Sequence, residues 1–105
     1  MHSLRGNVEF TKEEIQEKRA EILPVVLDNI KRVEEMDEGY VLRFGTSDLE
    51  VALVTEWLVL ERICNSFLRY QLTLESNNGP VTLLISGPSG TKDFLQMEFS
   101  LRRWL

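Results

Sequence analysis

Two stretches of the sequence contain the same order of structural signals, and this shared order limits the possible folds most strongly. The stretches read MDEG-YVLRF-GTSDLEVAL from Met36 and SNNG-PVTLL-ISGPSGTKDFL from Ser76. Each has a turn with glycine, a strand, a small polar loop and a helix, and a further candidate strand precedes each turn. Two successive ββα units predict a four-stranded, mostly antiparallel sheet packed against helices.

The four candidate strands form two hairpins. The first joins IKRVEEM to GYVLRF through an acidic turn, and the second joins RYQLTLES to PVTLLISG through NNG. An NNG sequence is typical of a tight turn between antiparallel strands. Tyr40, Leu42 and Phe44 alternate with their neighbours, which is the period of a half-buried strand.

A helix is predicted before the first hairpin, in FTKEEIQEKRAEIL. Thr11 is its candidate N-cap, and Glu14 is placed to complete a capping box. Pro24 predicts an end or a kink near residues 21–23, and residues 24–30 are compatible with either a helical turn or a loop. We therefore expect one α+β domain over residues 1–105, with residues 1–10 loosely ordered.

Charge and composition argue against several classes of function. The chain has 17 acidic and 12 basic residues, for a net charge of −5, and its basic residues are scattered. Nucleic acids need clustered Lys and Arg, so we expect no nucleic-acid binding. No apolar segment approaches the roughly 20 residues that span a bilayer. The single cysteine and the absence of a secretory pattern in MHSLRGNVEF favour a cytoplasmic protein.

The central helix contains the candidate chemistry, and it is predicted in TSDLEVALVTEWLVLERICNSF. Thr46 or Ser47 is its N-cap, and Glu50 is the capping-box partner. At about 100° per residue, one apolar stripe comprises Leu49, Leu53, Trp57, Leu60, Cys64 and Phe67. Cys64 is expected to be a small buried hydrophobe, and the alternative is a reactive thiol.

Three charged residues near the thiol are candidate site residues. Glu56 lies on the same stripe, either at its rim or as a pocket carboxylate with a raised pKa. Glu61 and Arg62 are expected on the solvated side of the helix.

Two further apolar stripes predict an association surface. A helix packed on one sheet face needs only one apolar stripe. The additional apolar positions are Val51, Val54 and Leu58 on the central helix, and Leu95, Phe99 and Trp104 in the last helical segment. The N-terminal helix or another subunit could cover the additional stripe of the central helix. Large exposed apolar patches usually mark contacts between proteins, so we expect a homodimer.

The loop in LLISGPSGTKDF is similar to the start of a phosphate-binding P-loop but departs from it. Lys92 comes one position early, and Asp93 stands where Ser or Thr is required. We expect a turn in which Ser89 or Thr91 caps the last helix. The only histidine is His2, so no cofactor and no metal site are predicted.

The segment EWLVLERICNSF resembles a family of small uncharacterised prokaryotic proteins with the motif E-[FW]-x-x-L-E-R-x-C-C-P-F. The resemblance extends over roughly residues 39–96. The matching residues are Glu56, Leu60, Glu61, Arg62, Cys64 and Phe67. The family's paired cysteines imply binding of a soft metal or metalloid. Asn65 replaces the second cysteine here and Ser66 the proline, and one thiolate cannot chelate.

Three functional hypotheses follow from the sequence. The first, which we favour, is a non-catalytic cytosolic binding or association domain that forms a homodimer and whose ligand the sequence does not identify. The second is a thiol site in which Cys64, with Glu56 and with Glu61 or Arg62 nearby, binds a soft metal or senses oxidation. The third is a small-ligand pocket between the sheet and the central helix. Whether the chain is an enzyme stays open, and the sequence favours a negative answer.

Overall fold

A computed structural model describes residues 10 to 105, which form a single antiparallel sheet with helices on one of its faces. The elements, in chain order, are α1 (Lys12–Asp28), β1 (Arg32–Glu35), β2 (Gly39–Arg43), α2 (Asp48–Cys64), β3 (Arg69–Leu74), β4 (Val81–Ser86), α3 (Thr91–Phe99) and a final 3₁₀ turn (Leu101–Trp104). The α+β class, with an N-terminal helix followed by two ββα units, is confirmed. The prediction of a loosely ordered N-terminus falls, apart from Phe10, outside the described residues.

The strand order is β1-β2-β4-β3, and every neighbouring pair is antiparallel. The two central strands, β2 and β4, pair Tyr40 with Ile85 and Leu42 with Leu83. All four of these side chains are buried, because alternate residues of each strand point towards the helices. The strands β1 and β3 form the two edges of the sheet.

The core lies between this sheet face and the helices. Trp57 of α2 meets Phe99 of α3 edge to face, with ring centroids 5.7 Å apart. The other core side chains from the helical layer are Val26, Val54, Leu95 and Leu101, all fully buried. In the part of the chain that the structure describes, no helix has the length and apolarity needed to cross a bilayer.

Pro24 neither ends α1 nor marks its boundary, because the helix continues to Asp28. Continuation brings Val26 into the core with no exposed surface, while Pro24 itself stays exposed. Burial of an apolar side chain contributes about 1.5–3 kcal/mol, which is comparable to the cost of a proline inside a helix. Residues 24–28 are therefore helical.

The buried face of α2 is rotated from the predicted stripe. The fully buried positions include Val54, Trp57 and Glu61, whereas Leu49 is 82% exposed. Val54 therefore has no exposed surface to offer a second subunit. Because α1 packs on α2 in addition to the sheet, α2 buries a broader arc than a helix that contacts a sheet alone.

Leu95 and Phe99 were also expected on an association surface, and this prediction is wrong because both are completely buried. The start of α3 differs from expectation as well. Gly90, with φ of +93°, occupies the N-cap position, and neither Ser89 nor Thr91 caps the helix with its side chain.

The capping box at the start of α2 is confirmed with Ser47 as N-cap. Its hydroxyl accepts a hydrogen bond from the Glu50 amide at 3.2 Å. We expect Ser47→Ala to lower the free energy of unfolding by about 1 kcal/mol, measured by chemical denaturation. Thr46→Ala, at the exposed preceding residue, is the control and should have little effect. Equal losses in the two variants would contradict the assignment of the cap.

Candidate functional site

An open groove runs between α2 and the edge strand β3, with a volume of about 450 Å³. We call it the α2–β3 groove, and its lining residues are Thr55, Leu58, Val59, Arg62, Leu68, Tyr70 and Leu72. It lies where the third sequence hypothesis placed a pocket, between the sheet and the central helix.

The groove exists because the helices cover β3 incompletely. In β4, Val81, Leu83 and Ile85 are at most 2% exposed. Their direct partners in β3 are Leu74, Leu72 and Tyr70, which point to the same side of the sheet. Leu74 is 55% exposed and the other two are only half-buried. An apolar strip along β3 is therefore covered only in part.

The wall of the groove formed by α2 is also partly apolar. Val59 is 44% exposed and Leu58 is half-buried. Leu58 is the one member of the predicted association surface that lines the groove. Val51 and Trp104 are half-buried and pack against the core elsewhere. The apolar contribution of β3 was not expected from the sequence, because RYQLTLES reads as an ordinary half-buried strand.

Glu61, in the last turn of α2, is completely buried, although the sequence places it on the solvated side. Its carboxylate accepts hydrogen bonds from Nε of Arg19 at 2.6 Å and from Nη2 of Arg19 at 3.3 Å. The side-chain amide of Asn65 donates a further hydrogen bond to Oε2. Arg19 comes from the N-terminal helix, so the pairing depends on how α1 packs across α2.

The same arginine connects three helices. Its Nη2 atom also lies 3.4 Å from Oε2 of Glu98, on α3. Only 15% of the Arg19 side chain is exposed, and hydrogen bonding and the two carboxylates outweigh burial to raise its pKa. Glu61 and Asn65 thus take part in a structural network.

Cys64 is half-buried at the end of α2, beside this network. Burial is the main cause that raises the pKa of its thiol; the charges of Glu61 and Glu98 add to the effect, and Arg19 opposes it. Glu56 and Arg62 both have exposed side chains. Of the three charged candidates, Glu61 alone acts electrostatically on the thiol, and the arrangement disfavours a thiolate at neutral pH.

Metal binding finds no support in the described part of the chain, where no group of three or more His, Cys, Asp or Glu side chains could hold an ion. The loop before α3 likewise lacks the positive lining that phosphate binding needs. Its cavity of about 330 Å³ is lined by Asp37, Glu38 and Asp93. Lys92, the one cation there, is hydrogen-bonded to Glu35. Thr91 Oγ1 is buried beside this cavity without a hydrogen-bond partner among the described residues.

The buried ion pair yields a stability prediction. Glu61→Gln removes the charge that compensates Arg19, so we expect the free energy of unfolding to fall by about 3 kcal/mol. Glu56→Gln is the matched control, because it makes the same chemical change on an exposed position of the same helix. The control should stay within about 0.5 kcal/mol of wild type in chemical denaturation. Similar losses in both variants would show that the pair contributes nothing.

The raised pKa of Cys64 yields a pH prediction. A higher pKa means less thiolate at any pH below it, so alkylation by iodoacetamide should be slow at pH 7. The rate should reach half its maximum above about pH 8.5, the pKa of a free cysteine side chain. Denatured protein is the control and should react faster at pH 7. A native rate equal to that of the denatured chain at pH 7 would contradict this environment.

Comparisons with protein-family models, with curated proteins and with solved structures find no match to this chain. The resemblance to proteins with the paired-cysteine motif therefore stays a prediction from the sequence.

Proposed function

We propose that the chain is a small, non-catalytic association domain that forms a homodimer through the α2–β3 groove. The observation that carries this proposal is the incomplete cover of β3. On the helix side of β3, Tyr70 and Leu72 pack against the core but stay half-buried, and Leu74 remains 55% exposed, so apolar surface is available for a second protein. Contiguous exposed apolar surface of this kind is typical of sites of protein association.

Apolar burial supplies part of the driving force. Completing the burial of a half-exposed Val or Leu side chain contributes about 1 kcal/mol. Val59 and Leu74 are 44% and 55% exposed, and each occurs once in each copy of a dimer. Association costs at least about 4 kcal/mol in lost freedom of motion, so these side chains alone support only a weak dimer. Backbone hydrogen bonds or further contacts must strengthen it.

The available side-chain chemistry supports a non-catalytic role. The sequence has one cysteine and one histidine. The cysteine is the half-buried Cys64, whose raised pKa disfavours nucleophilic attack at neutral pH. The single thiol is also compatible with the reducing cytosol that we propose as its location. The net charge of −5 argues against nucleic acid as the partner.

A small apolar ligand is the second candidate occupant, because the groove volume of about 450 Å³ falls within the usual range of ligand sites. The fluorescent dye ANS distinguishes the two occupants. If a second copy covers the groove, dye binding per chain should fall as the protein concentration rises. Binding that stays constant while the protein remains monomeric would favour the small-ligand site.

The homodimer is tested by light scattering over a range of chain concentrations. We expect the mass to rise from that of one chain to that of two. Val59→Glu places a charge in the groove and should keep the protein monomeric. Leu49→Glu, on the same helix at a position that is 82% exposed and outside the groove, is the control and should dimerise normally. A monomeric wild type at millimolar concentration would overturn the proposal.

A further inference from the structure

The two edges of the sheet differ in their protection against pairing with another strand. β1 is four residues long, with the sequence RVEE, and its Glu34 is paired with Arg43. Short, charged edge strands resist pairing. β3 is six residues long, with the sequence RYQLTL, and has a charge only at its first residue. It contains no proline, and among residues 10 to 105 no strand pairs with its outer edge.

The direction of the backbone groups along β3 follows from its pairing with β4. The amide of Glu75 donates to the carbonyl of Pro80 at 3.4 Å, so Glu75 points towards β4. Backbone groups alternate in direction along a strand. Thr73 and Gln71 therefore also face β4, whereas the N–H and C=O groups of Tyr70, Leu72 and Leu74 point to the free edge.

We propose that β3 pairs antiparallel with β3 of a second copy, on a twofold axis that passes midway between Leu72 of one chain and Leu72 of the other. The sheet then continues through both chains as one eight-stranded sheet. This inference rests on the proposed function, because it specifies how the homodimer forms. The α2–β3 grooves of the two copies then face each other across the paired strands, so that each copy covers the open side of the other's groove.

Symmetry restricts the register to a few choices. When a twofold axis stands perpendicular to a continuous sheet, both copies turn the same sheet face to the same side. One residue of β3 must then lie directly opposite the same residue of the second copy, with the axis midway between them. With the axis at Leu72, Tyr70 lies opposite Leu74 of the second copy, and every outward N–H faces an outward C=O. An axis at Gln71 or Thr73 leaves one outward residue of each β3 without a strand partner.

The side chains favour the same register. It places Arg69 opposite Glu75 of the second copy, twice in the dimer. Among residues 10 to 105, neither of these side chains has an ion-pair partner. On the helix side of the sheet, where burial is favourable, Leu72 meets Leu72 of the second copy and Leu74 meets Tyr70 of the second copy. On the face of the sheet that points away from the helices, the polar side chain of Gln71 meets Thr73 of the second copy. Charge, polarity and hydrogen bonding thus agree on one alignment.

Single cysteines introduced into a Cys64→Ser background report the register. In the proposed alignment, Leu72→Cys faces its own copy across the axis with Cα atoms about 5.5 Å apart, within disulfide range. Gln71→Cys and Thr73→Cys each lie about 8 Å from their own copies, which is beyond that range. We expect mild oxidation to crosslink the Leu72→Cys variant fastest, measured on non-reducing gels.

The outcomes separate the register from the dimer itself. Fastest crosslinking at Gln71→Cys or Thr73→Cys would overturn the Leu72 axis. A dimer by light scattering in which none of the three positions crosslinks would overturn strand pairing and leave the proposed function intact. A protein that is monomeric in light scattering and does not crosslink would remove both proposals.

Charge reversal provides a second test at exposed positions, where loss of folding is not expected. Arg69→Glu and Glu75→Arg should each weaken dimerisation about 3-fold to 30-fold, the effect of losing two surface ion pairs. Combining both changes recreates the two ion pairs with their charges exchanged. The dissociation constant of the double variant should therefore return to that of the wild type. A double variant as weak as either single variant would overturn the register, whatever the strength of the wild-type dimer.

Discussion

The ion pair between Arg19 and Glu61 determines how the helices are arranged over the sheet. Arg19 reaches Glu61 on α2 and Glu98 on α3, so it holds α1 across both helices. Glu61 has no exposed surface, and a buried carboxylate needs a partner of this kind. With α1 held in that position, α2 is the helix that flanks the strip of β3, and it covers the strip only in part.

The open groove and the outer edge of β3 involve the same residues. The side chains of Tyr70, Leu72 and Leu74 face the helix layer, and the backbone groups of the same residues face the free edge. A partner that pairs with this edge satisfies hydrogen bonds and buries apolar surface in one step. The opposite edge, β1, is short and charged, which disfavours strand pairing there.

Much of the fold followed from local signals in the sequence. Thr11 and Ser47 begin their helices with capping boxes, the NNG turn joins β3 to β4, and alternation identified the buried face of β2. These features depend on residues close together in the chain. Of the two outcomes left open after Pro24, a helical turn or a loop, the structure has the helical turn, because burial of Val26, a tertiary effect, offsets the local cost of proline in the helix.

The sequence by itself determined the order of elements, their caps and turns, and the scarcity of reactive side chains, because these properties depend on composition and on neighbours in the chain. Tertiary structure alone decided which side of α2 is buried. It placed Arg19 beside Glu61, 42 residues away in sequence, and so converted an expected surface carboxylate into a buried one. It also left β3 half-covered, because the extent of a helix layer over a sheet depends on how whole helices pack.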